Sequence, residues 1–246
     1  MRIALIADAF PPLRSSAAVQ LRDLSEEFSR QGHAITMMVA SPELEQGWKL
    51  EEWRGVQVLR LKTPRTKDMN YVRRTLGEFM MPYAMLRQLR HSPLANEQWE
   101  GIVWYSPTIF LGPMVKALKQ QSKARSYLII RDIFPEWALD MGLVGPGLPY
   151  KFFKAIAKGQ SAAAGVVGVQ TPGNLAYFED WMREYPQRSV DVLQNWLSPA
   201  QVQGCSIDVS QTHLAGRKIF VYSGNMGVAQ GMDVLLDLAE HMRERK

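Results

Sequence analysis

The chain has 246 residues, 46% of them hydrophobic, with 29 Lys and Arg against 24 Asp and Glu. That length suits one large domain, or one domain with part of another, and the composition excludes an intrinsically disordered chain. No run reaches the roughly 18 apolar residues of a membrane span. The lone Cys205 excludes an internal disulfide, and the four scattered histidines (33, 91, 213 and 241) offer no zinc spacing. The opening run Met1-Arg-Ile-Ala-Leu-Ile-Ala-Asp8 is too short for the apolar core of a signal peptide, so a cytosolic protein is expected. The formal charge of +5 is local. Residues 62–91 hold Lys62, Arg65, Lys67, Arg73, Arg74, Arg87 and Arg90 against only Asp68 and Glu78, an excess that equals that of the whole chain.

Taken in order, Ile3 to Ala7 reads as a buried parallel strand. The loop Phe10 to Ser16 follows, and a helix starts near Ser16 as N-cap, with Ala17, Leu21, Leu24 and Phe28 on its inner face. Gly32 closes it, and Ile35 to Val39 is the second strand, which completes a βαβ unit. After a polar excursion over 41–55, Val56 to Leu61 is a strand. Residues 70–91 are helical, with Pro82 expected to kink or break the helix. Strands follow at Ile102 to Tyr105, Tyr127 to Ile130, Val166 to Val169 and Val190 to Leu193. Helices are expected over 108–122, 149–163 and 172–183. This alternation predicts an α/β fold, a doubly wound parallel sheet, over residues 1–195. Residues 196–216 read as a linker. Ile219 to Tyr222 reads as a buried strand, leading through a loop with Gly224, Gly227 and Gly231 into a helix. The last unit, 217–246, is therefore expected to open a second, incomplete domain.

Open parallel sheets bind ligands at the carboxyl ends of their strands, so the segments just after strands are the candidates. In Phe10 to Ser16 no G-x-G-x-x-G occurs, which removes a nicotinamide-dinucleotide site. Ser15 and Ser16 offer donors to an anion, or simply cap the helix. Arg131-Asp132-Ile-Phe-Pro-Glu136 puts three charges at one strand end. Arg131 suits a phosphate and Asp132 or Glu136 a hydroxyl, unless the three only pair to organise the loop. Ser223 to Gly231 lacks a Walker lysine, yet its glycines permit close approach to a diphosphate. The stretch 62–91 mixes cations with Tyr71, Phe79, Met80, Met81, Tyr83 and Met85, which suits an anionic lipid surface better than nucleic acid, since nothing else in the chain is basic. Met81, Met85 and Leu89 align on one side of that helix and also read as core.

In this order the segments resemble the retaining, nucleotide-sugar-dependent glycosyltransferases of the GT-B fold. The nearest likeness is to bacterial amino-deoxysugar transferases of surface-polysaccharide assembly, such as lipopolysaccharide O-antigen or capsule. The resemblance rests on Phe10-Pro-Pro with Arg30-Gln-Gly-His33-Ala-Ile-Thr36, on Tyr105-Ser-Pro107 opening the next helix, and on Arg131-Asp-Ile-Phe-Pro-Glu136. Val190-Asp-Val-Leu-Gln-Asn195 and Tyr222-Ser-Gly-Asn-Met-Gly-Val-Ala-Gln-Gly231 complete it. Two departures stand out. Ser15-Ser16 replaces the family's Gly-Gly, and its second-domain glutamate region would lie beyond residue 246.

The resemblance implies catalytic roles for Asp132, Arg131 and Glu136, and an acceptor or phosphate loop at Ser15 and Ser16. It implies donor contacts from Gly224, Asn225, Gly227 and Gln230. It also implies a UDP-sugar donor, a lipid-linked saccharide acceptor, and docking of Arg73, Arg74, Arg87 and Arg90 on the inner face of the cell membrane. No metal and no cofactor are implied. The missing part would come from a second domain or a complementary chain, and residues 1–246 alone are expected to be inactive. The reading from another class is a non-catalytic module that binds a membrane surface or a partner.

Overall fold

The computed structural model describes residues 1–199, 204, 207–224, 226 and 230–244. By contact the chain divides into Met1–Ser198 and Pro199–Lys246. The first unit is built on one eight-stranded sheet. Its strands are β1 (Arg2–Ala7), β2 (Ala34–Ala40), β3 (Trp48–Trp53), β4 (Val56–Leu61), β5 (Gly101–Ser106), β6 (Arg125–Ile130), β7 (Val166–Val169) and β8 (Ser189–Val192). Their order is β3-β4-β2-β1-β5-β6-β7-β8. Every pairing is parallel except that of the edge strand β3 with β4.

Both faces of this sheet are covered, which is why its strands read as apolar runs. Along β1, Ile3, Leu5 and Ala7 point to one side with Met37 and Val39. Ala4 and Ile6 point to the other with Met38 and Leu59. Helix α1 (Ser16–Arg30) covers the first side through Ala17, Leu21, Leu24 and Phe28. Helices α2 (Tyr71–Arg90) and α3 (Gly112–Ser122) cover the second through Met81, Met85, Leu89, Met114 and Val115. Short α4 (Glu136–Asp140), then α5 (Leu148–Ser161) and α6 (Glu179–Glu184), complete the unit. Among the described residues no helix is long and apolar enough to cross a membrane.

Several sequence expectations are corrected. Residues 48–53 form a strand where a polar excursion was expected. A two-residue turn, Arg54-Gly55, joins β3 to β4, with φ of 49° and 79°. Two positive φ values are the mark of the tight hairpin turn whose twist matches that of its strands. Helix α2 is unbroken through Pro82, which is buried in it. The helix expected from 108 begins at Gly112, and that from 172 opens as a 3₁₀ turn, Pro172–Phe178. The cap of α1 is Ser15, whose hydroxyl accepts the Ala18 N–H at 3.3 Å, and not Ser16.

In the second unit, Ile219 to Tyr222 has no regular structure and is exposed, Val221 most of all at 82%. A strand needs a neighbour to complete its hydrogen bonds, and the described residues of this unit provide none. Its one α-helix among them is α7 (Asp233–Glu244).

Candidate active site

Strand order reverses between β1 and β5, so the carboxyl ends of β1, β5 and β6 open on the crevice where this architecture places ligands. Asp8, Ser106 and Arg131 stand at those ends. Phe10, fully buried, anchors the loop that leaves β1.

A polar network ties the ends of β5, β6, β7 and β8 to α1. Gln20, on α1, is buried, and its amide nitrogen donates to Asn195 Oδ1 at 2.8 Å. The Tyr105 hydroxyl donates to Gln20 Oε1 at 2.8 Å, and the Trp196 indole donates to the Gln20 carbonyl at 2.9 Å. With the Gln170 amide oriented to satisfy its neighbours, its nitrogen donates to the Arg131 carbonyl. Its oxygen then accepts from Arg131 Nη2 at 3.2 Å and from Asn195 Nδ2 at 2.6 Å. The Arg131 guanidinium lies 5.9 Å from the Tyr105 ring centre and 6.0 Å from that of Trp196. Contacts of a guanidinium with two rings favour one orientation of its plane. Its Nη1 is buried without a partner among the described residues. Burial raises the Tyr105 hydroxyl pKa above its ordinary value; the Arg131 charge opposes this, and the Asp132 and Asp8 charges add to it. Those three charged groups therefore share one neighbourhood around Tyr105.

The predicted site residues separate in space. Arg131 and Asp132 stand at the site, and desolvation raises the Asp132 carboxyl pKa against the pull of Arg131. Glu136 instead pairs with Lys154 of α5. It lines a cavity of about 260 Å³ with Asp132, Phe134, Gln160 and Trp181. Ser15 is engaged in its cap, while Ser16 is exposed. Gly224 and Gln230 are exposed in the second unit; Asn225 and Gly227 lie outside the described residues. Of the four predicted docking arginines, Arg74 pairs with Glu78 at 2.8 Å, Arg73 lines a cleft, and Arg87 and Arg90 are exposed near the end of α2.

That cleft, about 720 Å³, lies beyond the ends of β1, β2 and β4. Asp8, Arg60, Thr63, Arg65, Lys67 and Arg73 line it. Arg60 is held at its wall by Glu51 at 2.6 Å and the Pro11 carbonyl at 2.5 Å. Asp8 Oδ1 is buried with no partner among the described residues. Burial raises the Asp8 carboxyl pKa above its ordinary value, opposed by a hydrogen bond to its own backbone and by the Lys67 charge. Neither Asp8 nor Gln20 was singled out from sequence. The signal for Asp8 was a carboxylate directly ending an apolar strand; Gln20 sits at a core position of α1 with no chemical mark.

No family model matches the chain. It is 25% identical over 265 residues to WcaI of Escherichia coli (strain K12), described as a colanic acid biosynthesis glycosyl transferase; the match covers 99% of this chain and 63% of WcaI. Among solved structures, sucrose-phosphate synthase of Thermosynechococcus elongatus superposes with a TM-score of 0.54 at 14% identity, covering 78% of this chain and 47% of that one. A UDP-forming trehalose-phosphate synthase of Burkholderia vietnamiensis gives 0.52 at 13% identity, covering 77% and 47%. The chain thus spans less than two thirds of WcaI and about half of these two structures. Its mixed α/β architecture, with a mostly parallel eight-stranded sheet, is similar to the Rossmann-like domains of GT-B glycosyltransferases.

Proposed function

We propose that this chain supplies the acceptor side of a retaining glycosyltransferase in surface-polysaccharide synthesis, moving a sugar from a UDP-sugar to a lipid-linked saccharide at the inner membrane face. The description of WcaI as a glycosyl transferase supports the reaction class. The observation that carries the membrane reading is the outer face of α2. Val72, Leu76, Phe79, Met80 and Tyr83 share one side of that helix at helical spacing, and all are exposed. Arg87 and Arg90 continue the same side. An apolar stripe extended by arginines suits the boundary between headgroups and acyl chains of an anionic bilayer. The amino end of this helix adjoins the cleft through Met69 and Arg73, so an acceptor in the bilayer would need to rise only a short way to reach it.

In the reaction the bond from the anomeric carbon to the donor diphosphate breaks and a bond to the acceptor oxygen forms; the acceptor proton leaves with the diphosphate. Charge grows on the departing group, and fixed cations and backbone donors stabilise it most. In this reading Arg131 supplies such a cation, and Asp132 orients a hydroxyl. The loop Gly224-Asn225-Met226-Gly227 through Gln230 is assigned to the donor.

The test is a chimaera in which residues 1–198 replace the aligned segment of WcaI. Sugar transfer by the chimaera supports the reading, and a folded chimaera without transfer overturns it. The exposed face of α2 also suits a non-catalytic membrane module. Flotation of residues 1–246 with phosphatidylglycerol vesicles, together with an inactive chimaera, favours that second reading.

A further inference from the structure

The cleft beside Asp8 combines two kinds of group that one simple ligand does not satisfy. Among the residues lining it, Asp8 has one carboxylate oxygen buried with no partner among the described residues. Buried polar atoms are nearly always paired, and an exception calls for an explanation such as a missing ligand. At its rim Arg65, Lys67 and Arg73 are exposed, and none forms an ion pair among the described residues. Arg60, by contrast, is already occupied. A carboxylate accepts from hydroxyls and repels anions, whereas free guanidinium and ammonium groups attract phosphate. No group of acidic, histidine or cysteine side chains able to hold a metal ion occurs among the described residues, so Asp8 is not one member of a metal cluster there.

The rim is also fixed in place. Gly77 of α2 faces the Arg65 carbonyl so closely that a Cβ at this position would stand 2.6 Å from it. The glycine therefore lets the 62–70 loop lie against α2, and this contact sets where Arg65 and Lys67 stand relative to Asp8. A volume of about 720 Å³ falls within the range of small-ligand clefts, with room for more than one sugar ring.

We propose that this cleft is a bipartite site for a phosphorylated saccharide: Asp8 accepts a hydrogen bond from a sugar hydroxyl, while Arg65, Lys67 and Arg73 hold the phosphate. Thr63, buried in the wall, is a second hydroxyl partner. The site deepens the acceptor reading given above, but it stands on the cleft itself. The phosphate can belong to a free sugar phosphate or to the diphosphate of a lipid-linked sugar, and the two share this chemistry.

Calorimetric titration of residues 1–246 tests it with four probes: glucose, inorganic phosphate, glucose 1-phosphate, and a short-chain prenyl diphosphate-linked N-acetylglucosamine. The expected result is that at least one of the two phosphorylated sugars binds at least tenfold more tightly than glucose or phosphate alone. Tight binding of the prenyl-linked probe only would identify the lipid source. Asp8→Asn should weaken the phosphorylated sugar about tenfold without weakening inorganic phosphate. The Arg65→Gln/Lys67→Gln pair should weaken both. Gly77→Ala, which removes no charge, should weaken the phosphorylated sugar by displacing the rim, with circular dichroism confirming that α2 is retained. Absence of saturable binding by both phosphorylated sugars overturns the proposal, as does binding indifferent to Asp8→Asn and to the rim pair. A chimaera that transfers no sugar while this binding persists would remove the transferase reading and leave the site standing.

Discussion

Helices α1 and α2 cover opposite faces of the same sheet, and they are finished differently. Helix α1 turns polar groups inward: Gln20, Asp23 and Ser25 are all buried. On its outside, charges meet charges, as in Arg30 with Glu27 at 2.7 Å and Arg54 with Glu26 at 3.3 Å. Helix α2 does the reverse, burying Met81, Met85 and Leu89 while presenting Leu76, 62% exposed, and Val72, 80% exposed, to the outside. Single exposed apolar residues are ordinary, but a stripe along one helix face marks a surface meant for something other than water. Under the proposed function, α1 serves the site from within and α2 serves it from outside. The largest effect is therefore expected on α2. Each of Leu76→Ser and Phe79→Ser should remove about 2 kcal/mol of apolar transfer, about a thirtyfold loss of partitioning onto phosphatidylglycerol vesicles. Glu26→Gln on α1 should change nothing in the same flotation assay. Equal losses from the two helices would abolish the distinction.

The inward side of α1 is tested by Gln20→Ala. That change strands the Tyr105 hydroxyl, Asn195 and their neighbours. The expected cost is about 1–3 kcal/mol in urea unfolding of residues 1–246, with vesicle binding unchanged. A loss below about 0.5 kcal/mol would mean that the network is no more than incidental.

How far these roles could be read from sequence follows the same division. Period and apolarity show which residues face a core, so seven strands of the sheet and the inner faces of α1 and α2 were visible as patterns. Strand β3 was not, because it lies at the sheet edge with Lys49 exposed and Glu51 carrying a pair to Arg60; its alternation is weak, and the better signal was the Arg54-Gly55 turn. The strand expected at Ile219 to Tyr222 has the apolarity of a strand without a ladder to join, which composition does not reveal. At the site, Arg131 and Asp132 were legible as charges ending a strand. Gln20 and Gln170 were not, and Asn195 only as the end of a motif, since their partners are up to 176 positions away and only the fold brings them together. Glu136 looked equivalent to Asp132 in sequence, and the difference between them, the Lys154 ion pair, is made by another helix.

Smaller effects are expected from the arginines of α2. Arg87→Gln and Arg90→Gln should each weaken binding to anionic vesicles about fivefold, with the loss vanishing in high salt or on phosphatidylcholine. Arg74→Gln should do less, because Glu78 already neutralises that side chain. If Arg74 proved the most important of the three, the docking face would have to be turned toward the amino end of α2.

The smallest effect separates what stabilises the strand end from what makes it useful. Asp8 leads from β1 toward α1, and its folded carboxyl pKa lies above the ordinary 3.8. The folded chain therefore holds this proton more tightly than the unfolded chain. Below pH 3.8 the group is protonated in both states and is neutral to folding; as pH rises through the folded value, the charge must be buried and stability falls. Asp8→Asn should thus raise unfolding stability by about 1 kcal/mol near pH 7, and the gain over the parent should vanish below pH 3.8. Urea denaturation of the two proteins in parallel across that range measures it. A variant that is more stable yet binds the phosphorylated sugar less well would show that the buried charge is kept for its ligand, at a cost to the fold. A variant less stable at neutral pH would instead make Asp8 part of the scaffold, and α1 and its entry loop would then have no role beyond holding the sheet.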